Sequence, residues 1–355
     1  MKRKFFNHPI QVDLTHYENI RNEIINFFTG NNDIVSIYEY GSVSAPGVSD
    51  LDLIFVLKES PQSPTDIFDL RGISKDAQSL VADGTVIKMT SESMENILFL
   101  DNLFPNKLLG KDLNIINPSS EEDKFIKLVS MIDWVPERIL KLTRFLASDE
   151  ININNSLCTL HSFCYSLRSL NKIIGEDKAS LHIIQETARL RSSWLSSDSS
   201  EEDLINCIED AIKVGYKRLK DYRQYLSGGL YYIKEDHALP TNVDLELYRN
   251  HFIRFVDSEA SDNFDYSSVV QEENKYYVII SNYFLPHFFF QSIQEGMLSQ
   301  KINSKFSRQL DIDIEIVNSN YLKAIKKKIK VAEENAQFLM RNDFKNGLLR
   351  FGFHF

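Results

Sequence analysis

Three stretches of different hydrophobic pattern predict a mixed α/β (α+β) domain built on a mixed sheet, followed by a helical bundle and a smaller α+β C-terminal segment. First, helical and strand periodicities alternate up to about residue 118. Second, an almost unbroken helical pattern runs from 119 to 227. Third, strand-like runs return after the "SGG" at 227–229. The expected domains are therefore 1–118, 119–227 and 228–355, and a chain of 355 residues is long enough to give two or three of them a core.

In "LTHYENIRNEIINFFTG" (14–30), Ile20, Ile24, Ile25, Phe27 and Phe28 recur at helical spacing, and Gly30 provides a stop. "DIVSIYEYGS" reads as a strand ending at Gly41, with "DLDLIFVLK" as its neighbour. The connection contains Pro46 and Gly47, so the pair resembles a long hairpin. A helix over 65–82, a strand at 85–90, a helix at 91–104 and a strand or extended segment at 111–117 complete the first domain. Pro118 and the capping-box pattern from Ser120 to Asp123 then open the bundle. Its helices are expected at 121–133, 136–148, 155–175, 179–196 and 201–226, interrupted by Pro136, the "NINN" loop and "SSDSSEED". Beyond it, "YSSVVQEENKYYVIIS" predicts two strands joined by a polar turn, "DIDIEIV" an alternating strand, and 319–341 a last helix with a lysine-rich first half.

Composition narrows the functional classes. With 43% hydrophobic and 25% charged residues, the chain is of globular type, with little room for disorder. A formal charge of −10 counts against nucleic acid as the main partner, because phosphate backbones are held by clustered Lys and Arg. Cys158, Cys164 and Cys207 form no C-x-x-C pair, which suits buried free thiols in a reducing cytoplasm. The basic start "MKRKFF" is not followed by an apolar core of signal length. The longest apolar stretch, "YFLPHFFFQSI", is short and broken by Pro286, so neither secretion nor membrane spanning is expected.

The chemistry concentrates in "YEYGSVSAPGVSDLDLIFVLKE" (38–59). Alternate strand residues share a face, so Asp50 and Asp52 project two carboxylates together, with Leu51, Leu53 and Phe55 on the other side. Two carboxylates so close repel unless a cation or a shared proton intervenes. Mg²⁺ takes oxygen ligands and is commonly held by one or two carboxylates plus substrate phosphates. At the neighbouring strand end, Gly41 and Ser42 offer backbone N–H groups and a hydroxyl, and the glycine admits a phosphate close to the chain. A phosphate cradle beside a two-carboxylate site fits metal-assisted phosphoryl or nucleotidyl transfer.

This Gly-Ser, spacer, Asp-x-Asp, apolar-strand pattern resembles the DNA polymerase beta nucleotidyltransferase superfamily, small-substrate type, over residues 15–118. The resemblance implies a nucleotidyltransferase-like fold for the first domain and an ATP- or other nucleoside triphosphate-binding enzyme. It would move an NMP onto a hydroxyl of a small molecule or protein. It further implies that Asp50 and Asp52 hold two Mg²⁺ ions and that Gly41 and Ser42 contact the phosphates. A third carboxylate would activate the acceptor. For that position Asp112 in "LLGKDL" is the candidate, Glu92 and Glu95 are alternatives, and Lys88 stands near the place where the acid is expected. Absence of a third acid would instead suggest a catalytically impaired nucleotide-binding or interaction module. An RNA-directed transferase would call for a basic groove beside Asp50.

Other features carry blander expectations. Asp311, Asp313 and Glu315 read as the solvent face of a strand, and Lys323, Lys326–Lys328 and Lys330 as a solvated helix face. His161, His182 and His251 are expected on helices without ligand spacing. Arg168 is expected in a salt bridge of the bundle, with a triphosphate as its other possible partner, and "LPHFFFQSI" as core.

Overall fold

A computed structural model describes residues 3–62, 70–81, 86–100, 104–196, 198–227, 232–233, 244–248, 251–256, 269–272, 275–281, 314–315 and 319–342. It divides into two compact units, one drawn from Ile10–Ile126 and Ala324–Phe351, the other from Met1–Pro9 and Lys127–Lys323. The fold is mixed α and β, as expected. The units do not follow the three consecutive segments read from the sequence, since residues 3–9 and the helix from Ala324 onward fold with distant partners.

The chain opens with β1 (Lys4–Phe6), which belongs to the second unit. The first unit begins with α1 (Leu14–Phe28), N-capped by Asp13, whose carboxylate accepts from the His16 amide at 3.0 Å. Next come β2 (Ile34–Tyr40), β3 (Asp52–Leu57), α2 (Lys75–Leu80), β4 (Ile87–Thr90), α3 (Ser91–Glu95) and β5 (Asn106–Gly110). The four strands form one mixed sheet in the order β4-β3-β2-β5, with β3 and β4 parallel and the other pairs antiparallel. The β2–β3 pair is the long hairpin read from the sequence.

Strand alternation gives this sheet two apolar faces. Leu51, Leu53, Phe55 and Leu57 pack on Tyr17, Ile20, Ile24 and Phe28 of α1 and on Ala77 and Leu80 of α2. The Phe28 and Phe55 rings meet edge to face, 4.7 Å apart. Ile54 and Val56 on the opposite face join Tyr38, Tyr40, Ile87, Met89 and Met94. The sequence expectations for this unit shift in detail. Only Lys75–Leu80 of the 65–82 helix is observed, 63–69 and 82 lying outside the described residues. The 91–104 helix is the short α3 followed by a 3₁₀ turn at Ile97–Phe99. The last strand is 106–110 rather than 111–117, because "NKLLG" is the stretch that pairs with β2. Leu113 and Ile115 then lie against the core without a ladder of their own.

The second unit contains α4 (Ser120–Ala147) from Lys127 onward, then β6 (Glu150–Asn152), α5 (Ile153–Ile174), α6 (Lys178–Ser193) and α7 (Glu201–Ser227). β6 pairs in parallel with β1. The helices expected at 121–133 and 136–148 are one helix. Proline costs an interior helix about 3 kcal/mol, but burial of Val135, Ile139, Leu140 and Leu142 around Pro136 outweighs that loss. The capping box is Ser119 with Glu122, one residue before the pair expected: the Ser119 amide and hydroxyl both donate to Glu122 Oε2 at 2.9 Å. Leu157, Leu160, Phe163, Leu167 and Leu170 of α5 bury against Ile183 and Leu190 of α6 and Leu204, Ile208 and Ile212 of α7.

Two small sheets follow: β7 (Tyr232–Ile233) with β12 (Ile314–Glu315), and β8 (Asp244–Tyr248), β9 (His251–Val256), β10 (Val269–Glu272) and β11 (Lys275–Ser281) in the order β10-β11-β9-β8. The β10–β11 hairpin matches the expectation, whereas His251 stands in a strand, not a helix. Asp311, Asp313 and the "LPHFFFQSI" stretch lie outside the described residues. The last helix, α8 (Ser319–Arg341), returns to the first unit from Ala324 onward. Its Val331 and Ala332 join the face of Ile54 and Val56, and its Phe338 and Leu339 join the face of Phe55.

Candidate functional site

The hairpin ladder places Asp52 directly across from Tyr40, the last residue of β2. Gly41 and Ser42 follow Tyr40 at once, so they lie one strand spacing, about 5 Å, from the Asp52 end of β3. Gly41 has φ +93°, a left-handed turn that other residues enter at a cost, and both Gly41 and Ser42 are exposed. Leu51 and Leu53 sink into the α1-side core. Asp50 and Asp52 alternate with them and are half-buried. The structure thus brings four of the five sequence-predicted site residues to one end of the sheet.

The connecting loop does more than span a gap. The Ala45 amide donates to Ser49 Oγ at 3.0 Å, and the Val48 and Ser49 amides donate to the Ala45 carbonyl at 3.0 and 2.8 Å. Tyr17 of α1, wholly buried, accepts from the Gly47 amide at 3.0 Å and donates to the Ser49 carbonyl at 2.6 Å. One helical turn on, Arg21 binds Glu39 through two bonds of 2.6 and 2.8 Å. Glu39 is buried beside the strand end, and this hydrogen-bonded carboxylate raises the Arg21 pKa, locking the guanidinium charged. Tyr17 therefore fixes the loop and Arg21 fixes the strand end, both from one face of α1. The reading of the sequence missed both residues, although their i, i+4 spacing is visible there.

The fifth predicted residue, Asp112, lies beyond the end of β5. In the β2–β5 ladder Gly110 lies opposite Ser36, four residues and about 13 Å along the strand from Tyr40. Gly110 ends β5 at φ +89°, where any Cβ would collide with the Val35 carbonyl oxygen, so only glycine fits. Asp112 follows, its side chain 86% exposed and paired with Lys107, which stands opposite Tyr38, and the Leu113 amide donates to the Tyr38 hydroxyl at 3.3 Å. The alternatives fare no better. Glu92 and Glu95 lie in α3, which starts from Thr90, and Thr90 stands opposite Leu57 at the other end of β3 from Asp52. Lys88 stands opposite Phe55 and so shares the α1-side face, turned away from Asp52. The β4 residues on the Asp52 face are the apolar Ile87 and Met89, and residues 82–85 lie outside the described set.

Two carboxylates supply hard oxygen donors that suit Mg²⁺ in kind and leave room for phosphate oxygens. Among the described residues, no three His, Cys, Asp or Glu side chains gather into a larger metal-binding group. In the second unit, burial chiefly, then Arg191 and Arg168, push His161 down to about 4, so its ring is neutral at pH 7. Arg168 lies over the Tyr165 ring, 5.4 Å from its centroid. Burial likewise pushes the Cys207 thiol up to about 12 and raises that of Cys164, so neither is a nucleophile at neutral pH. Among the described residues, no helix is long and apolar enough to cross a membrane. Comparison of this chain with protein-family models, with curated proteins and with solved structures finds no match.

Proposed function

We propose that this protein is a metal-dependent nucleotidyltransferase that moves an NMP from a nucleoside triphosphate to a hydroxyl of a small molecule or a protein. One observation carries the reading: the in-register meeting of the Gly41–Ser42 turn with Asp50 and Asp52 at one end of a mixed sheet. The acceptor oxygen attacks the α-phosphorus, the α–β phosphoanhydride bond breaks, pyrophosphate leaves and the hydroxyl proton is released. Asp50 and Asp52 would hold Mg²⁺, which when bound supplies charge neutralisation for the triphosphate. The Gly41 backbone and Ser42 hydroxyl bind and orient phosphate oxygens. Tyr17 and Arg21 keep the two halves of the site in register, which matters because small misplacements of reacting groups cost rate steeply.

A second reading is favoured by one specific observation: Asp112, the candidate third carboxylate, is 86% exposed and paired with Lys107. On that reading the same site binds nucleotide without transferring it, as a catalytically impaired module. Transfer of label from α-³²P nucleoside triphosphates to candidate acceptors separates the two. The transferase reading expects labelling by the intact chain and its loss in Asp52→Ala, with the variant's circular dichroism unchanged. Undiminished transfer by Asp52→Ala would overturn the site. Mg²⁺-dependent nucleotide binding without transfer would establish the module.

A further inference from the structure

The salt bridge expected of Arg168 in the helical unit is not formed. Among the described residues its half-buried guanidinium donates to no oxygen, and its close contact is the face of the Tyr165 ring, 5.4 Å from the centroid. A charge withdrawn from water is ordinarily paired or hydrogen-bonded, so this one calls for an anion. His161, Tyr165 and Arg168 recur at helical spacing along one half-buried face of α5, and the His161 and Tyr165 rings meet edge to face at 5.0 Å. The surroundings add positive charge. Residues 175–177 join α5 and α6 as an antiparallel pair, in which the Cys164 thiol donates to the Ile183 carbonyl at 4.0 Å. Helical side chains lean toward the N-terminus of their own helix. Arg168 therefore leans back over Tyr165, and buried Arg191, about two turns beyond Ile183, leans the opposite way in space. The two heads approach each other at the level of His161 and Cys164, and both lower the pKa of each. Among the described residues no carboxylate counters them at His161. From α4, Arg138 brings a third guanidinium alongside, donating to Ser162 Oγ at 2.8 Å.

We propose that His161, Tyr165, Arg168 and Arg191 form a phosphate-binding site of the helical unit, which takes the dianion of a phosphomonoester or of free phosphate. Two converging guanidiniums match a dianion better than a single carboxylate. The planar fork of Arg168, held over Tyr165, can give two parallel N–H bonds to phosphate oxygens. The neutral His161 ring adds one N–H donor. All four residues belong to the helical unit, so the inference stands apart from the transferase reading of the sheet.

Nuclear magnetic resonance of the full chain, labelled at histidine, tests this, with the His161 signal identified by its loss in His161→Gln. EDTA is present throughout, so a Mg²⁺-dependent site does not contribute. At pH 7 inorganic phosphate and phenyl phosphate should each shift that signal saturably. A bound anion favours the imidazolium, so the His161 titration should also move up from about 4. Arg168→Gln should weaken both ligands about tenfold or more, as expected for loss of hydrogen bonds to a charged group. Arg168→Lys keeps the charge but not the fork and should weaken them less. Phenyl phosphate bound at least as tightly as inorganic phosphate assigns a phosphomonoester, and tighter inorganic phosphate assigns the free ion. An equal shift with sodium chloride at the same ionic strength would reduce the effect to screening and overturn the site. Undiminished binding in Arg168→Gln would overturn it too, as would the absence of a saturable shift in the intact chain. Where circular dichroism finds Arg168→Gln unfolded, Arg168→Lys decides by the same criterion.

Discussion

Tyr17 shows how much one hydroxyl can hold. It closes the loop between the two halves of the site from inside the core, where no water competes for its bonds. Tyr17→Phe removes 1 oxygen yet leaves the buried Gly47 N–H and Ser49 C=O short of a partner. Leaving buried polar groups unsatisfied costs about 1–3 kcal/mol. A lower urea midpoint of that size is expected, with faster hydrogen exchange at the Gly47 amide; an unshifted midpoint would show that the loop holds itself. His161 makes a second residue-scale prediction. Its ring titrates at about 4 in the folded chain and near 6.5 when unfolded. Between these values the unfolded chain binds a proton that the folded one does not, so stability is fully present above pH 6.5 and falls as the pH drops toward 4. Discounted for partial solvent screening, the loss is roughly 2 kcal/mol. Urea unfolding followed by tryptophan fluorescence should show this slope in the intact chain and flatten it in His161→Phe. The tryptophans, Trp134 and Trp194, both lie in the helical unit.

Whole elements were more legible than their partners. Helical periodicity located α1, α5, α6, α7 and α8 to within about three residues, and the β2–β3 hairpin was visible from its turn residues. Strand alternation also explained why Asp50 and Asp52 stand apart from the α1-side core. What periodicity does not encode is which strand end a distant residue reaches. Asp112 follows "LLG" much as a third carboxylate would, but it comes after the end of β5, exposed and paired with Lys107. The lysine-rich half of α8 was read as a solvated face, yet Lys328 is only 2% exposed and Lys327 lies over the Phe99 ring. The buried stripe Ala324, Lys328, Val331, Ala332, Asn335, Phe338 and Leu339 has helical period. Its two polar members hid it from a hydrophobicity pattern. Asn335 explains its own burial: its amide donates to the Lys88 carbonyl at 3.0 Å and accepts from the Thr90 amide at 3.3 Å, satisfying groups of the edge strand β4. Asn335→Leu should therefore destabilise the sheet unit by about 2 kcal/mol despite being more apolar. Asn335→Ala should do no better, which denaturant unfolding can read.

At the scale of the molecule, the chain order conceals the units. Residues 3–9 fold with the helices, through the β1–β6 pair and the Lys4–Glu150 bridge at 2.8 Å. From Ala324 onward α8 folds with the sheet that carries the candidate site, some two hundred residues after β5 (~200). Local pattern cannot reveal such a closure, since nothing in the sequence near Asp52 announces a missing helix. Energetically the helix is no accessory. Val331, Phe338 and Leu339 are buried, and full burial of such side chains contributes about 1.5–3 kcal/mol each, together comparable to the entire stability of a small domain. A chain ending at residue 318 should therefore lose hydrogen-exchange protection throughout β2 and β3 and with it nucleotide binding. The amides of α5, α6 and α7, whose core is their own, should keep theirs. Adding a peptide of residues 319–342 in excess should restore protection in β2 and β3, because binding to the folded state alone shifts the equilibrium toward it. If those strands stay protected in the shortened chain, the sheet is self-sufficient, and α8 covers a finished core rather than completing it.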